Sequence, residues 1–468
     1  MPRSPHCRQA SRGWFRWLPG RSRRPSTQSP FPAFLAAGPR PGARVVFGHG
    51  VPRPTALLAA ALATAMAAGC STPGGASGRP SMAACDTPGY GAHEIRLGLV
   101  YPDSGIVAGP LSAARSGFHV RLEQANADGG IHGRELVYTW KDDAGDASQN
   151  LEAVRELVGP ESVFGLVEAT VSASGGADYL QKRGIPVTGI PAEAFWSDPR
   201  YRNMFTFAYP FANGPSVTTF GEFAKAQGVT RAAMIQTDVT SASNDLAAKI
   251  ISSFAAAGIP IAPGPFVFKP MLTDPVDFGR RLATAQVDVV ASALGSDDLA
   301  RLVRGMHQAG APVKVVLSPN GYDTSLIQRY GGTVAGLTAA LNYVPFEIGG
   351  PAHQKYLRAM SSFAPELQPP DQELAFITYI LTDLFLDGLQ RAGDCPTRAE
   401  FIDALRASTY DGGGLLPAPV DMTRDFGQVA LCYTFMQVNA AGTGYQVVPS
   451  EDANPANRNR WCGHRLDQ

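Results

Sequence analysis

Residues able to do chemistry are scattered along this 468-residue chain rather than clustered. His119, His307 and His353 stand far apart, at positions better explained by helix surfaces than by a catalytic triad. Asp142-Asp143 is a paired carboxylate open to acid–base or metal chemistry, or to the plainer task of capping a turn. No G-x-G-x-x-G follows a strand, and G-x-x-x-x-G-K-[ST], G-x-S-x-G and H-E-x-x-H are missing. C-x-x-C pairs and Cys/His clusters at zinc spacing are missing too. The chain therefore reads as no enzyme, with no catalytic residue, metal or cofactor to name.

Location narrows the function further. Leu57 to Cys70 is an apolar run behind arginines, ending Ala67-Ala68-Gly69-Cys70 and followed at once by Ser71-Thr72-Pro73-Gly74-Gly75. About 13 apolar residues fall short of the roughly 20 that span a hydrocarbon core, so this is an export signal. Its ending resembles a bacterial lipoprotein cleavage box, which would make Cys70 the lipidated first residue; an ordinary signal with an incidental cysteine is the alternative. Residues 1–50 are rich in Arg, Pro, Gly and Ser and lack helical or strand periodicity. They read as sequence upstream of the true start, with initiation at Val51, or as disordered, in preference to a basic tail for nucleic acid. Ten of the 40 basic residues precede Cys70, and the first acidic residue is Asp86. The mature chain thus carries 30 bases against 40 acids. That excess of acid argues against nucleic acid or anionic lipid as a partner. Setting Cys7 and Cys70 aside leaves Cys85, Cys395, Cys432 and Cys462, which outside the cell suit two disulfides with three pairings open. Free buried thiols are the alternative.

The elements that position these residues follow an alternating pattern. Residues 71–92 are a Ser-, Gly-, Pro- and Ala-rich tether. Strand patterns lie at Ile95–Val100, Leu136–Trp140, Val163–Val167 and Ile185–Val187. Helical spacing links Ala114, Phe118, Leu122 and Ala125, then Leu151, Val154 and Leu157. A second series runs from Val217, Phe220 and Ala224 through strands at Ala232–Ile235, Val287–Ala291 and Val313–Leu317. Short apolar strands between amphipathic helices predict parallel sheets covered on both faces. Two such series, in a chain too long for one core, predict two doubly wound α/β lobes. Residues 372–392 predict a packed core helix, since Thr378, Asp383 and Asp387 interrupt it, and Val429–Phe435 with Tyr445–Val448 predict a hairpin about Asn439–Gly442.

Three segments carry a family resemblance: Ile95–Val100 with Asp103-Ser104-Gly105, the turn Asn126–Arg134 containing Gly129-Gly130-Ile131, and Lys141–Asp146. Together they resemble the type I periplasmic binding proteins, in the branched-chain amino acid branch that serves as solute receptors of ABC importers. Similarity runs over roughly 93–450. It implies two Rossmann-like lobes, 93–210 plus 345–415 and 211–344 plus 416–450, followed by a tail, 451–468. Three crossings near 208–211, 343–347 and 411–418 would form the hinge. The family assigns Asp142-Asp143 no chemistry, which favours the turn cap. Because a bridge across the cleft would restrain closure, Cys85 is expected to pair with Cys395 and Cys432 with Cys462.

The resemblance also implies a ligand site, residue by residue. From the first lobe it takes Ser104 and Gly105, then Ala169, Thr170 and Ser172, where hydroxyls and amides at a helix start suit a carboxylate. Pro191, Glu193 and Phe195 follow in the third loop, with Trp196 expected to pack inside the lobe. From the second lobe it takes Ala242, Gly295, Asn320 and Tyr322. Glu193 stands where amino-acid binders usually carry a hydroxyl, and Ala242 and Gly295 where they carry aromatics. Asn320 replaces an acidic partner of the α-ammonium. These departures lower the odds on leucine, isoleucine or valine and leave room for a bulkier solute. The expectation is a lipid-anchored, monomeric receptor that hands a small solute to an ABC permease and its ATPase. A ligand sensor signalling to a membrane partner is the alternative.

Overall fold

The structure, a computed structural model, describes residues 85–210, 212–238, 241–450 and 459–466, and of Pro110, Ser241 and Ala242 the backbone alone. The leader, Cys70, residues 71–84 of the tether and residues 451–458 of the tail lie outside the described residues.

Alternation of apolar strands with one-sided helices produces the first sheet. In chain order come β1 (Glu94–Tyr101), α1 (Ala108–Leu111), α2 (Ala114–Ala127), β2 (Glu135–Asp142) and α3 (Ala147–Val158). Then follow β3 (Gly165–Glu168), α4 (Ser174–Lys182), β4 (Val187–Gly189) and β5 (Met204–Phe205). The strands pair in the order β2-β1-β3-β4-β5, all parallel. Ile95, Leu97, Leu99 and Val100 of β1 and every residue of β3 are buried, as a strand covered on both faces requires. Turns obey local chemistry. Gly130 takes φ +76° where α2 ends, and a Cβ there would meet the Arg134 carbonyl oxygen at 1.9 Å, so only glycine fits.

A second series repeats the plan. It contains α5 (Thr219–Ala226), β6 (Ala232–Gln236), α6 (Ser241–Ala256), β7 (Phe266–Val267) and α7 (Pro275–Thr284). Next are β8 (Val289–Ala291), α8 (Ser296–Gln308), β9 (Val315–Ser318), α9 (Thr324–Tyr330) and β10 (Leu337–Leu341). The order β7-β6-β8-β9-β10 reproduces that of the first sheet, again parallel.

The remainder returns to both sheets. Helices α10 (Pro351–Phe363) and α11 (Glu373–Ala392) pack against α2 and against each other, α12 (Arg398–Arg406) packs against α11, and α11 also covers β3 and β4. Gly117 lets α2 approach α11 closely, for a Cβ there would lie 1.9 Å from the Ala375 carbonyl oxygen. A short ribbon of β11 (Thr409–Tyr410) and β12 (Val420–Asp421) follows. Then β13 (Cys432–Val438), β14 (Tyr445–Val447) and β15 (Trp461–Cys462) join the second sheet as an antiparallel extension of β10. The chain thus passes between the sheets three times: after β5, after β10 and around the β11–β12 ribbon.

Both disulfides match the expected pairing. Cys85–Cys395 ties the segment before β1 to the loop between α11 and α12, and Cys432–Cys462 joins β13 to β15. Each stays with one sheet. No helix among the described residues is long and apolar enough to cross a membrane; α11 is the predicted core helix, with Phe376, Ile380, Leu384 and Phe385 fully buried.

Candidate functional site

In an open doubly wound sheet the natural ligand position lies beyond the carboxyl ends of the strands, where strand order reverses. On the first sheet that point falls between β1 and β3. The loops leaving them carry Ser104 and Gly105, and Ala169, Thr170 and Ser172.

The acidic turn after β2 organises this wall. Asp142 Oδ1 accepts from the amides of Asp103 (2.9 Å), Ser104 (3.3 Å) and Ala144 (2.8 Å), while its Oδ2 accepts from the Ser104 hydroxyl at 2.6 Å. Burial alone would raise its pKa, but the Ser104 hydroxyl and these amides outweigh it and hold the carboxyl below its usual range. Asp142 is a turn cap, the reading that the family resemblance favoured. Gly105, at φ +86°, comes so near the next turn that a Cβ would lie 2.5 Å from the Ala144 carbonyl oxygen.

Behind the turn sits a buried polar cluster that sequence reasoning missed. Asn150 donates to Asp143 at 3.1 Å and to Glu168 at 3.4 Å, and accepts from the Gly176 amide at 2.9 Å. Asp143 and Glu168 are fully buried. Burial pushes the Glu168 carboxyl up to about 8 against the opposing Asn150 hydrogen bond, and Asp143 and Glu193 add repulsion. Burial also raises Asp143, opposed by the Thr170 hydroxyl, the Gly145 amide and Asn150. Glu168 ends β3 inside an apolar run, so its only signal was a carboxylate where a buried strand should carry none.

Glu193 completes the wall by capping α4. The Ser174 amide donates to its Oε2 at 2.9 Å and the Ser174 hydroxyl to its Oε1 at 2.5 Å. Burial raises its pKa, against these hydrogen bonds. Ser172 donates to the Gly145 carbonyl at 2.6 Å, and Ala169 and Thr170 are fully buried.

Facing this wall, the second sheet contributes a different surface. Asn320 donates to the Leu294 carbonyl at 3.1 Å, which fixes its amide next to the N-cap residue Gly295 of α8. Ile190, Pro191, Thr206 and Phe207 from the first sheet's strand ends enclose a cavity of about 110 Å³ with Leu246, Ile250, Asn320 and Tyr343 from the second. Glu373, the first residue of α11, lies at its edge and reaches between the two halves. It accepts from the Tyr343 hydroxyl at 3.0 Å and from the Gly321 amide at 3.3 Å. Burial pushes its carboxyl up to about 8, opposed by the Tyr343 hydrogen bond. A neighbouring groove of about 520 Å³ sets Glu193 opposite Asp245 and Lys249 of α6.

The expected site residues thus fall into groups. Pro191 and Asn320 share the cavity, and Glu193 lines the adjoining groove. Ser104, Gly105, Ala169, Thr170 and Ser172 lie in the loops leaving β1 and β3 and line neither the cavity nor the groove, and the Ser104 and Ser172 hydroxyls are engaged within the lobe. Phe195 packs sideways against Trp196 and Tyr201, at centroid separations of 5.6 and 5.2 Å, and Trp196 is buried. Tyr322 is buried as well; its hydroxyl donates to Glu347 and accepts from the Phe346 amide, pinning the second passage between the sheets. Ala242 lies in the first turn of α6, its side chain outside the described residues.

Two α/β sheets, each built on five parallel strands, with a shared cavity at their strand ends are the architecture of an exported solute-binding protein. Residues 94–443 match the family described as periplasmic binding protein, and the chain belongs to that family, whose members are binding proteins rather than enzymes. The leucine-, isoleucine-, valine-, threonine- and alanine-binding protein of Pseudomonas aeruginosa is 25% identical over 328 residues, 68% of this chain and 84% of the relative. Among solved structures, a fatty acid ABC transporter substrate-binding protein from Thermomonospora curvata gives a TM-score of 0.63 at 17% identity, covering 80% of this chain and 96% of that one. A solute-binding protein of an ABC transporter from R. palustris, in complex with benzoate, gives 0.62 at 16% identity, covering 80% and 98%.

Proposed function

We propose that this protein is the solute receptor of an ABC importer, holding a small solute between a lobe of residues 93–210 plus 345–415 and a lobe of residues 211–344 plus 416–450. The observation that carries this reading is the mostly apolar cavity bounded by Pro191 on one sheet and Asn320 on the other. A solute touching both sides favours the closed arrangement by its differential contacts, and closure then presents a permease with one defined surface. Ligand contacts are assigned to Pro191, Glu193 and Asn320, with Ser104, Gly105, Ala169, Thr170, Ser172 and Gly295 in the neighbouring strand-end loops and Ala242 at the start of α6. The solute is an amino acid or a related small carboxylate, aromatic or amide compound; the relatives' names, spanning branched-chain amino acids, fatty acid and benzoate, support that breadth. Cys70 carries a lipid that holds the monomeric receptor beside its permease and ATPase.

A thermal-shift screen of amino acids, aromatic acids, amides and short peptides tests the reading. Binding stabilises by mass action, so a ligand at 100 times its Kd adds about 2.7 kcal/mol. At least one class should raise the melting temperature. A flat screen would contradict the proposal.

A further inference from the structure

We infer that the solute selected by this cleft carries no free carboxylate at the α4 end of the first lobe, and instead presents a hydrogen-bond donor there, as an amide or amine on an apolar body does. The inference deepens the receptor reading above and rests on it.

The ground is that the groups fit to hold an anion on this wall are already engaged within the lobe. A helix start attracts anions through its free amides. At α4 the residue before the helix is Ala173, which has no side chain able to cap. Glu193 supplies the missing acceptor from 19 residues further along, taking both the amide and the hydroxyl of Ser174. The wall's hydroxyls are engaged too. Ser104 donates to Asp142, Ser172 donates to the Gly145 carbonyl, and Thr170 is hydrogen-bonded to Asp143.

The side chains beneath the wall are acidic and supply no positive charge to an incoming carboxylate. Asp143 and Glu168 are fully buried behind it, and Glu168 Oε2 has no hydrogen-bond partner. A ligand carboxylate would meet the Glu193 carboxyl and find the start of α4 already capped by it. Glu193 still borders the groove opposite α6, and a carboxyl group holding two donors keeps lone pairs for a third. Lys249 on the facing helix keeps its charge, but its ammonium is directed at the Gly214 carbonyl at 2.8 Å, and among the described residues no ion pair joins it to Glu193. Among the described residues the hydrogen bonds to Glu193 come from the start of α4 and none from α6, so on the groove side the solute supplies the donor.

Matched pairs test this directly: leucinamide against leucine, benzamide against benzoate, and hexylamine against hexanoate. Melting temperature and affinity are measured on the purified protein and on Glu193→Ser and Glu193→Gln variants. The native protein should bind an amide or amine member at least tenfold more tightly than its carboxylate twin. Glu193→Ser, which frees the α4 amides, should bring the carboxylate twin to within a few-fold. Glu193→Gln keeps the shape and an acceptor for Ser174, so it covers the case in which the serine variant fails to fold. It should lose the preference for the charged amine while retaining the amide. Carboxylate members binding the native protein best, with affinity unchanged in both variants, would overturn the inference and leave the receptor reading standing. If no member shifts any of the three proteins, the receptor reading is contradicted and this inference falls with it.

Discussion

At the scale of single residues, the unusual groups are the buried carboxyls. Glu168 and Glu373 both have pKa values raised to about 8 from an ordinary 4.5, chiefly by burial. The folded protein therefore binds more protons than the unfolded chain between those values, and stability falls as pH rises across that window. The contribution is complete below about pH 4.5 and gone above about pH 8. Glu168→Gln should flatten the decline in melting temperature between pH 5 and pH 8, with Glu373 supplying what slope remains. Thermal unfolding at a series of pH values checks this; an unchanged slope would show that Glu168 does not titrate there. Glu373 has a structural side as well. Its contacts with Gly321 and Tyr343 join a helix packed on the first sheet to loops of the second.

At the scale of elements, close packing and cross-links make separate demands. A Cβ at Gly117 would overlap the Ala375 backbone, so Gly117→Ala must push α2 away from α11. The expected cost is about 1–3 kcal/mol, typical of overpacking, whereas Gly109→Ala, with open space around it, should change stability by no more than about 0.5 kcal/mol. Chemical denaturation of the two variants compares them. The disulfides differ in the chain they close: 310 residues separate Cys85 and Cys395, against 30 for Cys432 and Cys462. In the chain-entropy account the shorter loop contributes about 3.7 kcal/mol and the longer about 5.7 kcal/mol. Replacing Cys85 and Cys395 by serine should thus lower the melting temperature more than replacing the other pair, as calorimetry can establish.

Elements were legible from sequence where one physical rule governed them. The apolar runs of β1, β3 and β9 are buried on both faces, and their composition shows it. α11 combines helical length with interrupting polar residues. By contrast, β10 reads Leu-Thr-Ala-Ala-Leu, with little strand propensity, and becomes a strand because β9 and β13 flank it. The same division holds at the site. Asp142 was readable as a turn cap, which the family resemblance favoured over acid–base or metal chemistry, whereas the burial of Asp143 beside Asn150 and Glu168 was not. Glu373 was not, since an acid in the first turn of a helix is ordinary in sequence and its reach to Gly321 and Tyr343 exists only in the fold. Tyr322 and Phe195 sit at the right places in the chain, but their rings turn into protein rather than towards the cavity.

At the scale of the whole molecule, everything depends on the two sheets holding one solute between them. The passages after β5 and β10 border the shared cavity, so a rocking motion about them would change its volume directly. Neither disulfide crosses from one sheet to the other, which leaves that motion free. The most direct measurement is the dissociation constant of a solute that stabilises the protein, compared between the native chain and Asn320→Trp. An indole in place of the amide fills the cavity beside Pro191. Affinity should fall by at least tenfold, about 1.4 kcal/mol, with the melting temperature of the unliganded protein little changed. Unchanged affinity in a folded Asn320→Trp protein would place the solute elsewhere and contradict the account.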